Sequence, residues 1–224
     1  MLDSQSDHAV AAERRVLLLG ATGLVGRHCL DLLLEDPGVA TVRVLVRRPP
    51  TDLQPSTKLE VVTADFDQLA SHPEWFAVDE VFCALGTTIA VAGSQDAFRK
   101  VDHDYPLAAA KLARSQGAKH YLLVSALGAN ATSRIFYNRV KGALENDLRA
   151  LAFPSLTIAQ PSMLMGERKE FRLLEEIAKS LGWLWPAAYR PVPASQVALG
   201  LIRSAQEPHA GVKVLSNRQL REAL

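Results

Sequence analysis

Short apolar runs alternate with segments of helical periodicity along most of the chain. The runs of strand length lie at 16–19, 41–46, 59–63, 80–85, 120–125, 156–159 and 212–215. Apolar residues recur at the spacing of a helix face at 23–34, 68–76, 95–115, 136–151 and 195–205. Continuous apolar strands separated by helices predict an α/β fold, with a doubly wound, mostly parallel sheet covered on both faces. In such a sheet, ligands bind at the carboxyl ends of the strands.

A glycine-rich turn follows the first apolar run. It reads Gly20-Ala21-Thr22-Gly23-Leu24-Val25-Gly26, and a helical pattern comes directly after it. A strand, a glycine turn and a helix start form the phosphate cradle of the Rossmann fold, because the glycines admit the pyrophosphate and the helix N-terminus offers free N–H groups. The spacing G-x-x-G-x-x-G differs from the best-known fingerprint, G-x-G-x-x-G. A structural turn without a nucleotide is the alternative, which the flanking strand and helix disfavour.

The division of the chain is predicted from composition and periodicity. Residues 1–12 are polar and alanine-rich, which predicts a disordered tail, and 13–224 are expected to form one Rossmann domain. Residues 163–193 are predicted to form a small substrate-side lid near the C-terminus. Its apolar residues, at helical spacing and then in a proline-containing stretch, are Phe171, Leu174, Ile177, Leu181, Trp183, Trp185 and Tyr189. Ordinary core or a self-association surface would explain the same residues.

Tyr137 and Lys141 lie four residues apart in a predicted helix, so their side chains share one face. That arrangement suits proton transfer. A free phenol titrates near 10, so acid catalysis near neutral pH needs a positive neighbour such as an ammonium group or an oxidised nicotinamide. Taken alone, the pair is also compatible with an ordinary exposed helix.

The glycine turn, together with Ser125, Tyr137 and Lys141, resembles the short-chain dehydrogenase/reductase superfamily in its atypical, NAD(P)H-binding branch. Stretches at 83–88, 101–105 and 160–162 resemble the Tat-interacting-protein-like oxidoreductases of that branch. The resemblance covers nearly the whole chain from about Arg15. Two departures concern proton supply and substrate anchoring. Asp102 stands where many relatives carry a relay asparagine, and Gln160 stands where an arginine often precedes the proline.

The resemblance implies a role for each matching residue. Tyr137 would donate a proton to the substrate carbonyl, and Lys141 would hold the nicotinamide ribose and favour the phenolate. Ser125 would fix the carbonyl oxygen, although a serine at a strand end could equally cap a turn. Further contacts with the cofactor would come from Asp65 and Phe66 at the adenine, from Leu85, Gly86 and Thr87 along its length, and from Pro161 to Met163 near the carboxamide.

Arg47 and Arg48 end the second predicted strand, where enzymes that use NAD place an acidic residue. A guanidinium can bind a 2′-phosphate bidentately. Charge-assisted bonds of about 1.5 to 3 kcal/mol would favour NADP(H) over NAD(H) by about tenfold to more than a hundredfold. Two solvated arginines at a strand end are the alternative.

Composition narrows the functional classes. The net charge is +1, and no run of basic residues with interleaved aromatics is present, so nucleic-acid binding is not expected. The sequence has no stretch of eighteen apolar residues, so no transmembrane helix is predicted. No signal peptide is recognisable either, and the expected compartment is therefore the cytoplasm. Cys29 and Cys83 lie in apolar patterns typical of buried thiols, and the six histidines show no ligand spacing, so no metal site is expected.

Three functional hypotheses follow from these features. The first is an NADP-dependent oxidoreductase that transfers hydride between NADPH and a small, uncharged or apolar carbonyl or alcohol. The second is a non-catalytic, NADP-binding regulatory or partner-binding protein. The third is an epimerase or dehydratase with a bound cofactor, which would show no net cofactor consumption.

Overall fold

The computed structural model describes residues 13–50, 53–165, 189–207 and 209–222. Within these residues, seven strands form one sheet: β1 (Arg14–Leu19), β2 (Val39–Val46), β3 (Leu59–Thr63), β4 (Glu80–Cys83), β5 (His120–Val124), β6 (Ser155–Gln160) and β9 (Gly211–Ser216). The spatial order is β3-β2-β1-β4-β5-β6-β9, and every neighbouring pair is parallel. A separate two-stranded parallel pair consists of β7 (Leu164–Met165) and β8 (Val192–Pro193).

Helices connect the strands. They are α1 (Leu24–Glu35), α2 (Ile89–Ala92), α3 (Gln95–Arg99), α4 (Tyr105–Ser115), α5 (Phe136–Ala150), α6 (Ala194–Gln206) and α7 (Asn217–Arg221). A π-helical turn at Lys100–Asp104 joins α3 to α4, and two 3₁₀ turns lie at Leu69–Ser71 and Pro73–Phe76. None of the helices in the described ranges is long and apolar enough to cross a bilayer.

The core has two layers, one on each face of the sheet. In β1, Val16 and Leu18 point to one layer and Leu17 and Leu19 to the other, as the alternation of side chains along a strand requires. The first layer includes buried residues of α1 and α6, and the second includes those of α4 and α5. The predicted doubly wound, parallel α/β fold is therefore confirmed.

The structure contains all seven predicted strands of the sheet, although the fourth and fifth end earlier than predicted, at Cys83 and Val124. The predicted continuous helix at 68–76 is wrong. Pro73 begins a second 3₁₀ turn there, because its ring nitrogen has no N–H to continue a helix. The proposed tail at 1–12 lies outside the described residues, as does most of the proposed lid, of which 163–165 and 189–193 are described.

Strand order locates the ligand-binding edge of the sheet. The chain moves from β1 to β2 and β3 on one side, and then crosses back to β4 on the other side of β1. The connections after β1 and β4 therefore diverge, which opens a crevice at the carboxyl ends of these strands. Gly20 follows β1 and Ala84 follows β4, so both lie at this crevice.

A buried histidine lies at the opposite end of the sheet, at the start of β5. The Nε2 atom of His120 is 2.9 Å from Oγ1 of Thr157, and the ring of His209 packs edge-on with a centroid distance of 5.0 Å. Burial, assisted by the positive charges of His209, Lys213 and Arg14, lowers the pKa of His120 to about 3. The folded protein therefore keeps this imidazole neutral in moderately acidic solution.

Acid should destabilise the protein through His120. Its folded pKa lies below the unfolded value of about 6.5, so the unfolded chain binds an extra proton between these values and stability falls as pH decreases from about 6.5 towards 3. We expect this histidine to cost about 3 kcal/mol of stability at pH 4 relative to pH 7. Urea unfolding at both pH values should show a smaller acid loss in His120→Gln, whereas exposed His72→Gln should behave as wild type. An unchanged acid loss in His120→Gln would contradict the assignment.

Candidate active site

Two adjoining cavities open at the carboxyl end of the sheet. Their volumes are about 550 Å³ and about 360 Å³, within the range of small-molecule sites. Both are lined by Gly23 and by the segment 84–88 that follows β4. They therefore lie at the crevice that the strand order creates.

The glycine turn forms one wall of the larger cavity through Gly20, Ala21, Thr22 and Gly23. Gly23 is the N-cap of α1, and Leu24 and Val25 continue the wall into the smaller cavity. The N-terminus of α1 thus borders both cavities, where free backbone N–H groups can bind an anion.

Two of the glycines are required by close packing within the turn. Gly20 has φ +85°, and a Cβ there would lie 2.5 Å from the carbonyl oxygen of Ala84. A Cβ on Gly26 would lie 2.0 Å from the carbonyl oxygen of Gly20, and Gly26 lines neither cavity. At Gly23, by contrast, the nearest atom would be the Gly20 oxygen at 3.2 Å. A side chain at Gly23 would therefore be less crowded by the protein than one at Gly20 or Gly26, and Gly23 itself lines both cavities.

Arg47 and Arg48 follow β2, are exposed, and line the larger cavity. Phe66 also lines it and packs against Tyr105 with a centroid distance of 5.4 Å. Asp65 does not line it. Its carboxylate accepts one hydrogen bond from the backbone N–H two residues further on, at 2.9 Å, and another from the side-chain amide three residues further on, at 3.2 Å. Asp65 therefore stabilises the turn after β3.

The smaller cavity brings together Ser125, Tyr137 and Lys141. Ser125 follows β5, and the other two lie one turn apart on α5. The ring of Tyr137 packs against the fully buried Phe98 of α3, with a centroid distance of 5.6 Å. Sequence reasoning missed Phe98, because its contact with α5 depends on the packing of two helices. The remaining predicted residues on this wall are Leu85, Gly86, Thr87, Pro161 and Met163.

Lys141 forms an ion pair with Asp102 in the wall of the smaller cavity. Its Nζ lies 2.8 Å from Oδ1, and the side chains are 4% and 1% exposed. The other oxygen of Asp102 accepts a hydrogen bond from the N–H of Thr87 at 2.8 Å. Burial opposes the ammonium charge, but the negative charge of Asp102, with a smaller contribution from Tyr137, raises the pKa of Lys141. The carboxylate in place of the relay asparagine therefore holds both the lysine and the loop after β4.

The Ser125 side chain forms a hydrogen bond with Glu145, a buried residue of α5 that does not line the cavity. Sequence reasoning missed Glu145. The Ser125 hydroxyl donates to Oε1 of Glu145 at 2.5 Å. The same carboxylate accepts hydrogen bonds from Nε2 of Gln160 at 2.9 and 3.1 Å, and from Nη2 of Arg149 at 3.1 Å. A serine hydroxyl has one proton, so Oγ of Ser125 then offers only lone pairs to a ligand. The side chain of Gln160 binds Glu145 and lines neither cavity.

A sequence signal for Glu145 did exist. Tyr137, Lys141, Glu145 and Arg149 follow one another at intervals of four along α5. Residues at this spacing lie on one helix face, so the face that carries the first two also carries the others. The significance of the third residue becomes visible only when β5 and β6 are packed against α5.

Removal of the Glu145 side chain should destabilise the protein strongly. Glu145→Ala removes a buried carboxylate that accepts from three donors, of which Ser125 is itself buried, and we expect a loss of about 2 to 4 kcal/mol. Glu222→Ala is the control, since this exposed carboxylate forms an i,i+4 ion pair with Arg218, and should cost less than about 0.5 kcal/mol. Urea unfolding of both variants would measure the difference, and equal losses would contradict a structural role for the buried network.

Comparisons with known proteins identify the family of this chain. A family model described as NAD(P)H-binding matches residues 20–183. "Protein FMP52, mitochondrial" of Candida albicans is 36% identical over 200 residues, which cover 85% of this chain and 87% of that protein. "Protein HTATIP2" of Rattus norvegicus is 33% identical over 216 residues, which cover 92% and 88% respectively.

A solved structure, "MoeE5 in complex with UDP-glucose and NAD", shares the fold. Its TM-score is 0.71 at 17% sequence identity, and the match covers 90% of this chain and 75% of that chain. At this identity the likeness concerns the fold alone.

The relative named mitochondrial contradicts the cytoplasmic location expected from the sequence. That expectation was wrong because it considered only secretory signals and transmembrane spans. Mitochondrial targeting uses amphipathic, arginine-rich segments instead.

Family membership follows from both kinds of comparison. The family model spans more than half of the chain, and relatives above 30% identity match most of its length. The chain therefore belongs to the NAD(P)H-binding, atypical branch of the short-chain dehydrogenase/reductase superfamily, as its glycine turn and its serine, tyrosine and lysine predicted.

Proposed function

We propose that this protein is an NADP-dependent oxidoreductase that transfers hydride between NADPH and a small carbonyl or alcohol. The observation that carries the proposal is that Ser125, Tyr137 and Lys141 line one cavity, the smaller one, which adjoins the cavity formed by the glycine turn. NADPH supplies the hydride when bound. The residues of the chain bind and orient both molecules and move the proton.

The cofactor would extend along the larger cavity and into the smaller one. Backbone N–H groups of residues 20–23 and of the start of α1 bind the pyrophosphate, and Arg47 and Arg48 bind the 2′-phosphate. Lys141 holds the nicotinamide ribose, and Pro161 and Met163 lie at the carboxamide. Other contacts come from Phe66, Leu85, Gly86 and Thr87.

Tyr137 is the proposed proton donor. In the reduction direction its phenol donates to the substrate oxygen, assisted by the ammonium group of Lys141. Ser125 uses its hydroxyl hydrogen in the bond to Glu145, so its Oγ accepts a hydrogen bond from the phenol or from a substrate hydroxyl. Ser125 therefore positions a donor, rather than donating to a carbonyl as the family resemblance implied.

The proposed substrate is uncharged or apolar. Among the described residues that line the smaller cavity, the charged ones are Asp102 and Lys141, and these two neutralise each other. Apolar side chains, including Val25, Met163 and Leu164, form much of the rest. A charged substrate would find no free counter-ion on this part of the wall.

A second candidate is a regulatory protein that binds NADP and a partner. The ion pair between Asp102 and Lys141 favours it, because an ammonium held by a carboxylate assists a phenolate less than a free ammonium does. An epimerase or dehydratase would use the same tyrosine with a retained cofactor.

The arginine pair should decide cofactor choice. We expect NADPH to bind wild type about tenfold to a hundredfold more tightly than NADH, with a smaller difference at high salt because the exposed charges are screened. Calorimetry on Arg47→Ala/Arg48→Ala should show the preference reduced or lost. The control, Arg203→Ala/Arg218→Ala, removes the same charge elsewhere and should keep it. Equal affinities in wild type would refute NADP specificity.

Removal of the Tyr137 hydroxyl should reduce turnover without weakening cofactor binding. Tyr137→Phe keeps the ring's packing on Phe98, so NADPH affinity should hardly change, while turnover falls by about 100-fold or more. NADPH absorbance against a panel of aldehydes, ketones and quinones would measure it. Tyr121→Phe removes a hydroxyl that bonds the carbonyl of Pro106, and should keep turnover.

The same assays distinguish the three functions. NADPH binding without turnover on any carbonyl, together with a cofactor-dependent partner interaction that survives Tyr137→Phe, would favour the regulatory protein. Conversion of substrate without net NADPH consumption would favour the epimerase or dehydratase.

A further inference from the structure

The walls of the two cavities differ in charge. Arg47 and Arg48 border the larger cavity, and their guanidinium groups are exposed. The smaller cavity contains one anion and one cation, Asp102 and Lys141, in direct contact. Glu145 lies behind Ser125, where Arg149 balances its charge. The charges of these two pairs, Asp102 with Lys141 and Glu145 with Arg149, therefore sum to zero.

We propose that Asp102 sets the redox preference of the cofactor site, so that the protein binds NADP⁺ at least as tightly as NADPH. This inference rests on the proposed function, since it assumes that the two cavities bind NADP(H). Without the carboxylate, the ammonium group of Lys141 would leave the smaller cavity with one positive charge. That charge would repel the cationic ring of NADP⁺ and would leave the neutral ring of NADPH unaffected.

Asp102 is placed so that its negative charge acts on a ligand bound in the cavities. The side chain is 1% exposed, so water screens it little. One oxygen is fixed by the N–H of Thr87 and the other faces Nζ of Lys141, so the carboxylate cannot swing away from the cavity wall. Thr87 itself lines both cavities. The negative charge is therefore held at the junction of the cavities.

The two forms of the cofactor differ in net charge only at the nicotinamide. The ratio of their dissociation constants therefore reports the electrostatic potential at that ring, and contributions from the phosphates and the adenine cancel. A unit charge acting over several ångströms in a poorly screened site changes such a ratio by about tenfold or more. A protein that binds both forms with similar affinity would be occupied by each in proportion to the ratio of oxidised to reduced cofactor.

The test is the ratio Kd(NADP⁺)/Kd(NADPH), measured by calorimetry at pH 7 on the full chain. Wild type should give a ratio of one or less, and Asp102→Asn, which keeps the shape but removes the charge, should raise the ratio about tenfold. Asp104→Asn is the matched control. It removes a carboxylate two residues away that is 52% exposed and outside both cavity walls, so the ratio should stay unchanged.

A second variant covers the case in which Asp102→Asn does not fold. Lys141→Met removes the other member of the pair, and both cofactor forms lose the ribose contact equally, so the ratio should move in the opposite direction, below that of wild type. A wild-type preference for NADPH, or a ratio that responds to neither substitution, would overturn the inference. If wild type binds neither nucleotide, the proposed function itself fails. If it binds both and only the ratio is unresponsive, the proposed function survives.

Discussion

The close approach of the glycine turn to the segment after β4 determines the geometry of the whole site. Gly20 has no side chain, so its backbone lies where a Cβ would be 2.5 Å from the carbonyl oxygen of Ala84. This contact fixes the segment 84–88, which lines both cavities. The N–H of Thr87, within that segment, binds Asp102, and Asp102 binds Lys141. A continuous series of contacts thus connects the cofactor turn to the helix that carries Tyr137 and Lys141.

The buried charged residues of α5 are each placed beside a partner of opposite charge. An isolated buried ion is costly, and pairing with hydrogen-bonded partners offsets the cost. On α5, Lys141 is balanced by Asp102 from the π-helical turn, and Glu145 is balanced by Arg149 and by hydrogen bonds from Ser125 and Gln160. The side chains that face the cavities are therefore oriented by partners behind them. A π-helical turn at Asp102 agrees with the frequent occurrence of such turns at functional sites.

The sequence was sufficient for the fold and for the outline of the site, because both depend on local patterns. Apolar periodicity identified the strands, and the glycine spacing located the turn. It was insufficient where the role of a residue depends on its contacts in three dimensions. Gly26 packs against Gly20 and Asp65 stabilises its own turn, and the sequence pattern does not show either contact. The bond from Ser125 to Glu145 spans 20 positions and depends on how β5 meets α5. The spacing of four along α5 shows which helix face carries Glu145, but not that this face meets Ser125.

The two departures from the family pattern change the chemistry in a connected way. A carboxylate at Asp102 neutralises Lys141, and an amide at Gln160 binds Glu145, which in turn accepts the hydrogen bond of Ser125. An arginine at 160 would place a second guanidinium beside Arg149 and would weaken the hold of Glu145 on Ser125, because a carboxylate with two cations is a poorer acceptor. The charged side chains on the described wall of the smaller cavity therefore cancel, and Ser125 offers it an acceptor. A wall without net charge does not repel an oxidised nicotinamide, so Asp102 removes the bias against NADP⁺ that an unpaired Lys141 would create in the proposed reaction.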